Sequence, residues 1–279
     1  MTKLTNHHIT ILSKNTFPVV GIGASAGGLD ACQKFTHAIS PGSGMAYIIV
    51  QHLSPGHEST LPQILQKTCS IPVLEISDNL EVRPDHVYVI PSNKLLTVND
   101  GILELSPRPA DHKLINSIDI FFSSLAEVHR DSSIAVILSG SGKDGTAGLR
   151  AIKTHGGLTI AQEPATAAYK DMPQHAIEQG AIDFILKAEK IPGQLQKLID
   201  SHNSPGTGLQ KDEKEEAEAF VEILNLLRQK IGVDFSLYKQ PTIQRRIFRR
   251  MGMNQLITLS EYLELLQKKP GELNVLFDD

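Results

Sequence analysis

From residue 17 to about residue 200 the chain alternates short, continuous apolar runs with amphipathic stretches. Residues 17–23 (FPVVGIG) read as a buried strand. Residues 28–39 read as the helix behind it, with Leu29, Cys32 and Ala38 among its apolar positions. Residues 46–51 (AYIIVQ) predict a second buried strand, and a helix follows near 59–68. The segments 134–138, 158–161 and 182–186 repeat the pattern. A strand with one wet face would alternate polar with apolar residues. Continuous apolar strands joined by helices therefore predict a parallel sheet covered on both faces. One stretch departs from this. Residues 87–90, 95–98 and 102–105 lie close together, with Asn99-Asp100-Gly101 at a tight turn. They predict an antiparallel hairpin appended to the parallel sheet.

Residues 202–216 (HNSPGTGLQKDEKEE) are polar and charged and contain Pro and Gly, so they read as a linker. Beyond them the pattern is helical. Phe220, Ile223, Leu224, Leu227 and Ile231 recur at helical spacing, and Gly232 ends the run. Pro241 opens a second helix that reaches about Gly252. Thr258 and Glu261 form a capping box ahead of Leu259, Tyr262, Leu263 and Leu266. Pro270 opens a fourth helix that is barely formed before Asp279. The expected fold class is α/β, a doubly wound, mostly parallel sheet with an antiparallel hairpin, followed by a small all-α domain. The expected division is a tail (1–16), an α/β domain (17–201), a linker (202–216) and a helical domain (217–279) that opens a longer, truncated one.

A length of 279 residues suits one large or two modest domains. The net charge of −4 gives no whole-chain pull toward nucleic acid or an anionic membrane. Cys32 and Cys69 form no CxxC pair, which points away from zinc and redox motifs and toward a reducing compartment. The first residues carry no apolar signal core, and no apolar run approaches the roughly 18–20 residues that span a bilayer. The expected location is the cytoplasm, with no insertion into a membrane and no nucleic acid partner.

Three positions could carry chemistry. The turn Gly21-Ile22-Gly23-Ala24-Ser25-Ala26-Gly27-Gly28 follows a strand and precedes a helix. Such a turn lifts one side chain, here Ser25, above the sheet edge beside backbone N–H groups that can hold an oxyanion. The same glycine-rich turn also suits phosphate binding, as in dinucleotide sites, or a purely structural turn. A dinucleotide site calls for an acid at the end of the second strand, but that strand ends in Gln51-His52, and no GK[ST] follows the turn. His52 is placed to act as a general base for Ser25, and a hydrogen-bonded structural histidine is the competing reading. His57, in a Ser-Pro-Gly-His loop, reads as a surface residue. Asp144 lies in Ser139-Gly140-Ser141-Gly142-Lys143-Asp144-Gly145, after the strand at 134–138. It can orient a histidine, or it can cap the next helix. Ser25, His52 and Asp144 each follow a predicted parallel strand, so all three can converge on one sheet edge.

At these residues the sequence resembles the catalytic domain of the chemotaxis receptor methylesterase CheB. The matching segments are VVGIGASAGG, YIIVQHLSPGH and VILSGSGKDGTAGLRAIKTHGGLTIAQEPATAAYKDMPQHAI, within roughly residues 17–200. The resemblance implies a protein-glutamate methylesterase with Ser25 as nucleophile, His52 as base and Asp144 as orienting acid, with glutamine deamidation as a side activity. It implies an oxyanion hole of backbone N–H groups, here Ala26 and Ser141. The implied partner is the methylated cytoplasmic helices of a chemoreceptor, and no cofactor is implied for the esterase. A receiver domain commonly precedes this family's catalytic domain, and the 24 residues before Ser25 do not provide one. Residues 220–279 resemble the N-terminal helical domain of the receptor methyltransferase CheR, through VDFSLYKQPTIQRRIFRRM and SEYLELLQ. S-adenosylmethionine would belong only to a methyltransferase domain downstream. By the same resemblance, Arg245, Arg246, Arg249 and Arg250 imply a docking face for acidic receptor helices, and a solvated charged face is the competing reading.

Overall fold

The computed structural model describes residues 17–51, 60–109, 115–203, 210–232, 243, 246–247, 250–251, 254, 256 and 258–278. The chain divides into two compact units, Met1–Ile191 and Pro192–Asp279.

In the first unit the strands are β1 (Val19–Ala24), β2 (Ala46–Gln51), β3 (Val73–Glu75), β4 (Leu80–Glu81), β5 (His86–Val89), β6 (Lys94–Asn99), β7 (Ile102–Pro107), β8 (Ser133–Ile137), β9 (Leu158–Gln162) and β10 (Phe184–Leu186). The helices are α1 (Gly28–His37), α2 (Leu61–Gln66), α3 (Ser117–His129), α4 (Thr146–Thr154) and α5 (Asp171–Glu178). Seven strands form one sheet in the order β10-β9-β8-β1-β2-β5-β3, and every pairing in it is parallel. β1 and β2 are buried along almost their whole length, which accounts for their unbroken apolar sequence.

The hairpin expectation needs one correction. Residues 87–90 do not join it, because β5 pairs in parallel with β2 and β3 inside the main sheet. The hairpin is β6–β7, closed at Asn99↔Ile102, and β4 completes a separate three-stranded antiparallel sheet. Its two-residue turn holds Asp100 at φ 47 and Gly101 at φ 81, the left-handed conformation that Asp and Gly tolerate best. Sequence spacing alone could not separate β5 from its antiparallel neighbours, since both kinds of strand are apolar runs of similar length.

β1 lies directly under α3. A Cβ on Gly23 would stand 2.5 Å from Ile118 Cγ2, and one on Gly21 would stand 2.8 Å from the Phe121 ring. These glycines therefore serve close helix–sheet packing. Ile118, Phe121, Phe122 and Leu125 are fully buried along α3, and each such side chain contributes roughly 2 kcal/mol of apolar burial. On α1 the buried apolar side chains are Ala31, Cys32 and Phe35, while the predicted apolar Leu29 is exposed.

The chain places β2 on one side of β1 and later returns with β8 on the other. The strand order thus reverses between β1 and β8. In an open parallel sheet the carboxyl ends of the strands at such a reversal flank a crevice where ligands bind.

The continuous helices among the described residues from Ile191 on are α6 (Ile191–Asn203), α7 (Gln210–Ile231), α8 (Leu259–Lys268) and α9 (Pro270–Asp278). The predicted linker is shorter than the sequence suggested, since α6 runs through Asn203 and α7 already begins at Gln210. The run QKDEKEEAEA is rich in strong helix formers with acids near the helix start, and that outweighs its polarity. Residues 204–209 lie outside the described residues. Phe220, Ile223, Leu227, Ile243, Ile247, Met251, Tyr262 and Leu266 share one core, so the predicted apolar stripes do meet. Thr258 Oγ1 accepts from the Glu261 N–H at 3.2 Å, and the Thr258 N–H donates to Glu261 Oε2 at 3.1 Å, the capping box read in the sequence. α9 is a full nine residues, longer than the sequence suggested. No helix of the described residues is long and apolar enough to cross a membrane.

Candidate active site

Ser25 is the first residue beyond β1, half-buried, at the strand-order reversal. Its N–H donates to the Ser139 carbonyl at 3.0 Å, which bridges the carboxyl ends of β1 and β8. Its own carbonyl accepts from the Gly28 N–H at 2.9 Å, closing the turn into α1. Gly27, inside that turn, takes φ 69, which glycine adopts without steric cost. The Ala26 N–H donates to no acceptor among the described residues. It lies beside the start of α1, where unpaired amides and the helix dipole favour negative charge.

Sequence reasoning missed the residue that braces this turn. Ser139 is fully buried. Its Oγ donates to the Ala26 carbonyl at 2.9 Å and accepts from the Tyr169 N–H at 3.0 Å. Its N–H donates to Gln162 Oε1 at 2.9 Å, and Gln162 Nε2 donates on to the Thr166 carbonyl at 3.1 Å. The next residue, Gly140, exchanges backbone bonds with Tyr169 and Met172. A Cβ on Gly140 would stand 3.0 Å from Ser25 Cβ and collide with the Met172 sulfur. The segments after β1, β8 and β9 are thereby locked together around Ser25. The available signal was a polar residue ending an apolar strand, as Gln162 ends β9.

Asp144 is buried. Its Oδ2 accepts from the Ile118 N–H at 3.0 Å, and its Oδ1 accepts from the N–H groups of Asp119 at 3.0 Å and Gly145 at 2.8 Å. It does cap a helix, but that helix is the preceding α3 and not the following α4. Asp119 in turn accepts from the Gly148 N–H of α4 at 2.9 Å. Burial raises the Asp119 carboxyl above its usual range, with the nearby Asp144 charge adding to the effect and the backbone donors opposing it.

His52 and His57 lie outside the described residues. The chain enters His52 from Gln51, the last residue of β2, whose register partner is Ala24, the residue before Ser25. Ser141, the second oxyanion donor implied by the resemblance, is exposed in the loop that carries Asp144. Cys32 is no rival nucleophile, because burial pushes its thiol up to about 12.

One arginine of the predicted cluster is turned inward. Arg250 is buried, and its guanidinium bonds both carboxylate oxygens of Glu272 at 2.8 Å. Asn254 and Tyr262 also donate to Glu272, at 3.1 and 3.2 Å. Arg250 is therefore removed from the predicted docking face, since a guanidinium satisfied inside a helical core is not presented to a partner. Arg246 is half-buried, and Arg245 and Arg249 lie outside the described residues.

The family model for the CheB methylesterase matches residues 20–195, and that for the all-alpha domain of the CheR methyltransferase matches residues 218–279. A 104.1 kDa protein of Rhodobacter capsulatus is 35% identical over 235 residues, which is 76% of this chain and 24% of that protein. The protein-glutamate methylesterase/protein-glutamine glutaminase of Thermotoga maritima is 33% identical over 186 residues, 65% of this chain and 54% of that protein. The chain thus spans about a quarter and about half of these two curated relatives. The crystal structure of the Thermotoga maritima CheB methylesterase catalytic domain superposes with a TM-score of 0.60 at 33% identity, covering 66% of this chain and 100% of the other. The chain belongs to the CheB methylesterase family, with a CheR-type all-alpha domain following its methylesterase domain.

Proposed function

We propose that this chain hydrolyses glutamate methyl esters on chemoreceptors through a Ser25–His52–Asp144 triad. The observation that carries the reading is the position of Ser25. It follows β1 at the strand-order reversal, with its backbone bonded to the loop that bears Asp144, and the preceding residue, Ala24, is in register with Gln51, which leads into His52. Ser25 Oγ attacks the ester carbonyl carbon while His52 takes the hydroxyl proton. Asp144 holds the His52 ring in the correct tautomer and stabilises its protonated form. The N–H groups of Ala26 and Ser141 receive the oxyanion. His52 returns the proton to the departing methoxide, methanol leaves, and water hydrolyses the acyl-enzyme with His52 again as base. Deamidation of a receptor glutamine follows the same course, with ammonia as the leaving group.

The protein residue is thus restored to a free glutamate without a cofactor. The partner is a methylated chemoreceptor helix in the cytoplasm, and Arg245, Arg246 and Arg249 form the docking face of the helical domain. In a longer parent protein that domain precedes an S-adenosylmethionine-dependent methyltransferase domain acting on the same receptors.

The test is labelling with a fluorophosphonate probe. Wild type labels, and both Ser25→Ala and His52→Ala lose the label while keeping wild-type melting behaviour. Full labelling or full turnover by Ser25→Ala would rule out this nucleophile.

A further inference from the structure

Beside the nucleophile turn stands an aromatic side chain with no part in the triad. Tyr169 is 51% exposed, although its backbone is among the most firmly held near the site. Its N–H donates to Ser139 Oγ at 3.0 Å, and its carbonyl accepts from the Gly140 N–H at 3.0 Å. Its ring leans over the turn. A Cβ on Gly27, two residues past Ser25, would lie 3.0 Å from Tyr169 Cδ2.

Single exposed apolar residues are ordinary on protein surfaces and carry no meaning by themselves. Two features set Tyr169 apart. Its backbone is fixed by the same serine and glycine that brace the nucleophile turn, so the base of its side chain is placed by the same bonds that place Ser25. A half-exposed ring held in place presents a large contact area and loses little side-chain freedom on binding, which suits recognition.

We propose that Tyr169 is a specificity-determining residue of the esterase, whose ring packs against the protein segment that carries the methyl ester. This rests on the esterase reading above. The ester group itself is small and lies at Ser25 Oγ. The ring lies over Gly27, two residues along the same turn, so a polypeptide that brings its ester to Ser25 would extend past it. A small ester presents nothing to this ring, whereas an ester-bearing helix does.

The experiment uses the full chain with Tyr169→Ala and Tyr169→Phe, melting curves for each, and two substrates. One is p-nitrophenyl acetate. The other is a helical peptide with a single glutamate γ-methyl ester. The expected result for Tyr169→Ala is a KM for the peptide raised about tenfold, with kcat and acetate hydrolysis held within twofold of wild type, and Tyr169→Phe restoring the peptide KM. An unchanged peptide KM in Tyr169→Ala overturns the inference. An equal loss on both substrates also overturns it, because the residue would then only hold the turn in place. A wild type that hydrolyses neither ester overturns the esterase reading and this inference with it.

Discussion

Asp119 and Asp144 cap each other's helices. Asp144, in the loop that begins α4, accepts the first-turn N–H groups of α3, and Asp119, in the first turn of α3, accepts the Gly148 N–H of α4. The acid assigned to the triad is therefore also the joint between the two helices that cover one face of β1 and β8. Its three backbone donors hold it in one orientation before any histidine is considered.

This double use gives a prediction for Asp144→Ala. The variant loses ester hydrolysis and also loses about 1–3 kcal/mol of stability, because donors at a buried helix start are left without an acceptor. Urea unfolding followed by circular dichroism, alongside a hydrolysis assay, separates the two effects. Asp144→Asn keeps one acceptor oxygen, so it recovers part of the stability while hydrolysis stays low. Recovery of activity in step with stability would remove Asp144 from the chemistry.

His129, at the end of α3, is buried, and neither ring nitrogen has a hydrogen-bond partner among the described residues. Burial lowers its pKa from 6.5 to about 4, with Asp100 opposing the shift only partly. The neutral ring is therefore favoured in the folded state. Its contribution is fully present above pH 6.5 and is lost as the pH falls toward 4, amounting to about 2–3 kcal/mol over that window. His129→Leu removes that acid sensitivity and leaves no donor unpaired, so its stability at pH 5 is expected to exceed that of wild type. Melting temperatures of both proteins between pH 4 and 8 check this, and parallel curves would count against it.

Arg250 gives the third prediction. The guanidinium and Glu272 have side chains only 11% and 12% exposed. Arg250→Ala leaves a carboxylate in a largely desolvated site, which typically costs about 3 kcal/mol or more. The helical domain is expected to melt earlier by circular dichroism, while the fluorophosphonate reaction of Ser25 is unchanged. Arg250→Met with Glu272→Gln restores part of the loss, because the amide oxygen is neutral and still accepts from Asn254 and Tyr262. A stable Arg250→Ala domain with weakened receptor binding would return Arg250 to the docking face.

What was legible in the sequence follows the physics of each residue. The buried strands β1, β2, β8 and β9 came through because parallel strands under two helical layers must be apolar throughout. The turn at Ser25 came through because small residues at a strand-to-helix corner are distinctive. Asp144 was visible as a candidate, but its caps were not, since its donors lie 25 and 26 residues earlier in the chain. Ser139 escaped notice because a serine in a glycine-rich loop is unremarkable until its partners at Ala26, Gln162 and Tyr169 are known. Arg250 misled because a run of arginines looks alike in sequence. Which of them turns inward depends on Glu272, 22 residues further on.

The brace at Ser139 also bears on how such a site can change over time. Its carbonyl and hydroxyl hold the backbone at Ser25 and Ala26, its hydroxyl also holds the backbone at Tyr169, and its N–H meets the Gln162 side chain. Lengthening or shortening any one of those loops would pull the others out of register together, whereas a side chain on the outer rim can change without moving the site. Lys143, Tyr169 and Lys170 are exposed on those loops. They can be exchanged without disturbing the backbone beneath, so the rim of the site can be altered while its frame stays fixed.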